Sequence, residues 1–310
     1  MRLNYGKTFL LGFGFFGVSV IWGVYNAFVP IFLSEKFHIA PGVIGFFMTL
    51  DNIAALFIQP PVGAWSDRIR TPLGRRIPFI LIGAPISALA FGLIPIAAVL
   101  PLFVACTSTL LLSAALWRTP VVALMPDITP SQFRSQANGI INFMGGIGTI
   151  VALQTGGMLY KMSPNFPFWL GSVLVVLAAL IVYFFIEEPK EYETTEKQPG
   201  ILESLREVMS DEDKSGLRIL LAIFFWFIGF SAVETFFTLY AKNHLGLEVG
   251  DGATLLSVLP LFFVLFAIPS GYIASRIGRR ITITIGLITL TVILILLYIT
   301  PASALLTGIA

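Results

Sequence analysis

Three ionisable residues lie inside long apolar runs, where a charge is expensive: Asp51, Arg118 and Glu234. A charged side chain costs about 2.5–3.5 kcal/mol at the centre of a membrane helix even on a lenient insertion scale, so each is expected to face a cavity or a partner. Two chemistries suit such a set. A carboxylate inside a membrane can load a proton on one side and release it on the other, and an arginine can answer that carboxylate or an anionic solute. The bland alternative is a fixed ion pair or helix-to-helix hydrogen bonds that hold a bundle together. Glu234 is the only charge between Ile219 and Ala241, with Phe230, Phe236 and Phe237 nearby, and it carries the stronger expectation of a proton role.

Uncharged polar groups recur in the same runs: Trp22, Tyr25 and Asn26 in the first, Asn52 and Gln59 in the second, Gln154 in the fifth. Amide hydrogen bonds and an aromatic platform suit a hydroxyl-rich ligand, and a few such groups in an apolar pocket are enough. Simple packing or an interfacial aromatic is the competing reading for each.

A third set of charges is crowded into a hinge, GAWSDRIRTPLGRRIPF, from Gly63 to Phe79, between two apolar runs. Asp67 can accept hydrogen bonds from a helix N-terminus or pair with a basic side chain. Arg68, Arg75 and Arg76 can answer Asp127 and anionic lipid, while Arg70 reads as a topology signal alone. With Gly63 and Gly74 these residues form a candidate conformational latch, and Asp127 and Arg134, which flank the next inner loop, are expected to form a similar one. A second copy, GYIASRIGRR, runs from Gly271 to Arg280. Gly63 and Gly271 are 208 positions apart, about half of a twelve-span carrier, which suggests two related halves.

The elements that must position these groups are membrane helices. Of 310 residues, 56% are hydrophobic and 12% charged, whereas about a quarter are charged in a soluble domain. Runs long enough to cross a ~30 Å hydrocarbon core lie near 8–33, 42–65, 77–98, 101–125, 135–158, 166–186, 218–241, 252–275 and 281–300. Backbone amides find no water in lipid, so these nine runs are expected to be helical despite their Gly, Pro and β-branched residues. Glycines 145, 146, 148, 156 and 157 read as close helix contacts. At ~1.5 Å per residue, Asp51 and Glu234 lie roughly 10–14 Å below one surface and Arg118 about 10 Å from the other, so Arg118 reaches Asp51 only at full extension.

Arginine and lysine set the expected orientation. With the N-terminus cytoplasmic, the cytoplasmic segments hold fifteen of the nineteen, the outer loops only Lys36, Lys161 and Lys242, and Arg118 lies within a span. The expected location is the plasma membrane, crossed several times. Residues 1–186 are expected to form a six-span bundle, 187–217 a cytoplasmic linker, and 218–310 an incomplete second bundle, either of a longer twelve-span chain or of a nine-span one. Cys106 alone supports no disulfide framework, His38 and His244 fall in outer loops, and no phosphate-binding glycine loop occurs, so an enzyme, a metal site, a cofactor and a nucleic-acid partner are not expected.

The hinge between spans two and three, with its Gly, Asp, Arg, Gly, Arg and Arg, resembles the major facilitator superfamily. In the usual motif the second glycine follows the aspartate by three positions, as Gly278 follows Ser275. In the first copy the separation is seven, Asp67 to Gly74, and this is similar to sucrose transporters and their glycoside-cation symporter relatives. ALMPDITP at 123–130 and RSQANGIINFMGGIG at 134–148 agree, so the likeness covers spans two to five. It implies a monomeric secondary carrier with two helical bundles around a central site, moving a small glycoside such as sucrose or maltose with a proton or another cation. One departure stands out: plant sucrose transporters carry an acidic residue midway along span four, where positions 108–116 here read STLLLSAAL. Any coupling must use another acid. A carrier for an anionic solute, with Arg118 as countercharge, is the transport alternative, and a non-transporting receptor or scaffold is the alternative from another class.

Overall fold

The computed structural model describes residues 4–188, 208–210 and 214–300, so most of the expected linker lies outside the described residues. The chain runs through α1 (Tyr5–Glu35), α2 (Pro41–Met48), α3 (Leu50–Arg68), α4 (Ile77–Leu93), α5 (Leu100–Ile128), a 3-10 turn (Ser131–Phe133), α6 (Arg134–Met162) and α7 (Phe166–Phe185). It continues through α8 (Ser215–Asn243), α9 (Val249–Leu256), α10 (Val258–Ile277) and α11 (Arg279–Ile299). Two pairs, α2 with α3 and α9 with α10, run on from each other across breaks at Thr49 and Ser257; among the described residues seven spans are long and apolar enough to cross a membrane, and the two remaining expected runs fall on the shorter apolar helices α4 and α11.

Proline shapes the starts and the bends. Pro41, Pro78, Pro101 and Pro167 sit in the first turns of α2, α4, α5 and α7, where a missing N–H costs nothing. Pro30, Pro60, Pro61, Pro85, Pro120 and Pro126 lie inside helices, as lipid-embedded helices tolerate when neighbours satisfy the freed carbonyls.

The repeat seen in the hinges extends through the helices. A 208-residue offset carries the end of α1, Glu35, onto the end of α8, Asn243, and it carries α2 onto α9 residue for residue. The breaks at Thr49 and Ser257 are related by the same offset. After the hinges the offset shortens by four, because Asp67 to Gly74 is four residues longer than Ser275 to Gly278. Those extra residues close a turn in which Gly74 N–H donates to Thr71 O (3.0 Å) and the Thr71 hydroxyl to Gly74 O (2.6 Å). Gly74 (φ +103°) and Gly278 (φ +92°) both adopt the left-handed backbone that favours glycine.

Packing centres on α1, which lies against α6 and α7 and also touches α5 and α8. Lipid tails supply no hydrophobic drive between helices, so contact depends on close fit. At Gly148 of α6 a Cβ would strike the Phe16 carbonyl of α1 at 2.6 Å, so only glycine lets these helices approach as they do. Away from the hinge, an aromatic cluster of Phe28, Phe32, Phe37, Phe91, Phe103, Tyr160 and Phe168 fills the core, with Phe28 stacked on Tyr160 at 4.7 Å. Large apolar side chains are exposed on α8, α10 and α11.

Candidate functional site

Two adjoining cavities lie between the helices. The larger, about 300 Å³, is lined by Phe15, Val18, Ser19, Trp22 and Gly23 of α1, Arg118, Val121 and Val122 of α5, Asn142 and Thr149 of α6, and Glu234 of α8. The smaller, about 30 Å³, is lined by Trp22, Asp51, Asn52, Ala55, Gln59, Leu111, Ala114, Ala115 and Arg118. Trp22 and Arg118 border both, so all three intramembrane charges converge on one polar interior. Asp51 and Arg118 both line the smaller cavity, and no salt bridge joins them among the described residues. Asn52 donates its amide to Asp51 Oδ1 at 3.0 Å.

The neighbouring residue fixes Arg118. Trp117 is fully buried, its indole N–H donates to Ser87 Oγ (3.1 Å), and Ser87 donates in turn to Ser113 Oγ (2.8 Å). This lock between α4 and α5 holds the rotation of α5 and turns the next side chain toward the cavities. Glu234 meets the side chain of Asn26, and both approach the cavity from helices related by the repeat. The Tyr25 hydroxyl is buried without a hydrogen-bond partner among the described residues, and its ring stands edge-on to Trp22 at 5.6 Å.

Of the polar residues singled out in the sequence, Trp22, Asn52 and Gln59 line the cavities, Tyr25 packs behind Trp22, and Asn26 contacts Glu234. Gln154 lines neither. Ser19, Asn142 and Thr149 were missed; Asn142 and Thr149 fall on α6 seven residues apart, two helical turns, a face signal that was available.

Opposite the hinge, α6 and the later spans close on each other. A Cβ at Gly157 would overlap the Gly250 carbonyl, and one at Gly250 the Gly157 carbonyl. Lys161 pairs with Asp251 at 2.5 Å and Glu248 at 3.6 Å, and Lys242 pairs with Glu35.

At the hinge the arginines are nearly buried. Arg75 Nη2 meets Asp127 Oδ1 at 2.6 Å and Arg75 Nη1 lies 3.8 Å from Asp67. Arg76 Nε donates to Asp127 Oδ2 at 3.0 Å, and its guanidinium also binds Asp67 and the Ser66 hydroxyl. Arg68 stays exposed at the end of α3 and is not drawn to Asp127. Arg134 donates to the Thr129 and Pro126 carbonyls, so Asp127 answers Arg75 and Arg76 instead of Arg134. Gly63 packs near Thr119, and Arg70 donates to the Asp67 carbonyl at 2.6 Å.

An all-helical membrane protein with a polar cavity between its spans, closed at one end by paired charges, has the build of a solute carrier. The chain belongs to the Major Facilitator Superfamily, whose profile matches residues 11–310. Members of that superfamily are carriers and not enzymes. The chain is 24% identical over 282 residues to multidrug resistance protein 2 of Bacillus subtilis (strain 168), covering 89% of this chain and 67% of that one. It is 26% identical over 181 residues to the lactose permease of Citrobacter freundii, covering 56% and 42%. Its fold matches a bacterial homolog of the human lysosomal transporter Spinster, in an inward-facing and unoccupied conformation, with a TM-score of 0.65, 18% identity and coverage of 88% and 62%. The chain thus spans about two thirds of the length of the multidrug resistance protein and of the Spinster homolog, and its alignment covers less than half of the lactose permease.

Proposed function

We propose that the protein is a secondary carrier for a small glycoside of the sucrose or maltose type, coupled to a proton and working by alternating access. The observation that carries this reading is the convergence of Trp22, Asn52, Gln59, Asn142, Arg118 and Glu234 on one interior of about 300 Å³ in its larger part. Amides and an aromatic face suit hydroxyl groups, and a carboxylate beside them suits a mobile proton. The likeness to a lactose permease supports a sugar.

In this reading residues 1–186 and 218–310 belong to separate halves, the hinge faces the cytoplasm, and the paired charges opposite close the outer side. Arg118, bordering both cavities, favours a second reading, a carrier for an anionic solute. Exchange of a labelled disaccharide across proteoliposomes containing the full-length protein tests the first: exchange of sucrose or maltose supports it, and exchange of dicarboxylates without any sugar replaces it with the second.

A further inference from the structure

The row of α1 side chains that lines the larger cavity continues past it. Phe15, Val18, Ser19 and Trp22 recur at three- and four-residue spacing, one face of a helix, and the next members of that row are Tyr25 and Asn26. Asn26 meets Glu234, but Tyr25 lines neither cavity. Its ring is fully buried and stands edge-on to Trp22 at 5.6 Å, and Trp22 itself borders both cavities, so the indole stands between the phenol and the polar interior. The Tyr25 hydroxyl has no hydrogen-bond partner among the described residues, whereas the buried hydroxyls of Ser87, Thr107 and Ser113 all donate. An unpaired buried hydroxyl is costly, and a phenylalanine would keep every apolar contact of the ring without it. Thr119 and Thr238 share the lack, but their methyl groups face Gly63 and Gly252 across helix contacts, and that packing accounts for them.

We propose that Trp22 is a shutter over a concealed subsite: the indole swings aside when solute enters, and the Tyr25 hydroxyl then pairs with a hydroxyl of the sugar. The identity of the ligand rests on the glycoside reading given above. The two cavities share Trp22 and Arg118 as walls, so moving the indole joins them. The larger one, about 300 Å³, is at the small end for a ligand pocket, and the join enlarges it. The empty carrier leaves the phenol unpaired and the loaded carrier pairs it, so the orphan hydroxyl favours a solute that brings a hydroxyl to that point over one that does not.

Two measurements on the full-length protein test this. The first needs no solute: Tyr25→Cys in a Cys106→Ser background is treated with a small methanethiosulfonate, and adding Trp22→Ala is expected to speed its labelling at least about tenfold, since the rate follows exposure of the site. Equal rates with and without the indole would overturn the shutter. The second compares the unsubstituted protein with Tyr25→Phe in exchange of labelled sucrose and maltose across proteoliposomes. The half-saturating concentration is expected to rise about tenfold, the scale of one lost hydrogen bond, with the maximal rate within about twofold and the thermal stability of the empty protein unchanged or higher. A merely structural role would lower stability and leave half-saturation where it was. Unchanged half-saturation with sugar exchange intact overturns the subsite and leaves the glycoside reading standing. If the unsubstituted protein exchanges neither sugar, the glycoside reading falls and the proposed ligand of Tyr25 with it, while the labelling rates still decide the shutter.

Discussion

Asn26 and Glu234 occupy equivalent positions in the repeat, 208 residues apart, and their side chains meet beside the central cavity. Two helices related by the repeat thus approach each other at matched residues, one an amide and one an acid. The exchangeable proton, in the proposed mechanism, belongs to the acid. Glu234→Gln is expected to abolish proton-driven accumulation while solute exchange at equal pH persists. If Glu234 only pins α8 to α1, the glutamine variant keeps accumulation or loses stability and exchange together.

Arg118 is held toward both cavities by the buried Trp117 beside it. Arg118→Ala is expected to lower transport at least about thirtyfold, the scale of a lost charged hydrogen bond. Arg118→Lys restores only part, since a point charge does not reproduce a planar fork. Initial uptake rates in proteoliposomes check this, and robust uptake by the alanine variant would reduce Arg118 to a packing role.

Asp127 and Asp67 both serve the hinge arginines, but their exposures differ. The Asp127 side chain is 13% exposed and salt-bridged to both arginines, whereas Asp67 is 47% exposed. Asp127→Asn is expected to destabilise by about 2–3 kcal/mol, because it leaves two buried guanidinium groups short of a partner. Asp67→Asn is expected to cost less than about 1 kcal/mol in stability and to slow interconversion instead. Denaturation of purified protein and transport turnover separate the two effects, and equal stability losses would contradict the assignment.

Closure opposite the hinge depends on Gly157 and Gly250. Gly250→Ala is expected to hold the side opposite the hinge open, raising the labelling rate of an Asn142→Cys cavity probe by an impermeant maleimide about tenfold, a shift of ~1.4 kcal/mol. An unchanged labelling rate would show that other contacts set the closure.

The helical character of the apolar runs, their approximate limits and the hinge repeat were legible in the sequence, because in lipid the backbone leaves little choice but the helix and the charges mark the loops; nine runs were expected, and seven of the described helical spans are long and apolar enough to cross a membrane. The breaks at Thr49 and Ser257 were not, since neither residue forbids a helix. The intramembrane charges were legible by their cost, yet span depth suggested that Arg118 could only just reach Asp51, and the two share a small cavity. Glu188, whose carboxylate accepts the Arg76 N–H, was hidden because that partner lies 112 positions away and a short acidic run at a span end looks like any solvated linker. Asp127 meets Arg75 and Arg76, whereas Arg134 turns to the Thr129 and Pro126 carbonyls, since adjacency in one loop does not bring a guanidinium to a carboxylate already held by two others.

The central claim is coupled sugar transport, and accumulation tests it most directly. Proteoliposomes containing the full-length protein, given labelled sucrose and maltose with an imposed pH gradient acidic outside, are predicted to concentrate one of them above the external level. Collapsing the gradient with a protonophore should return it to equilibrium. Equal internal and external sugar under every gradient, or no entry of either sugar, would contradict the account.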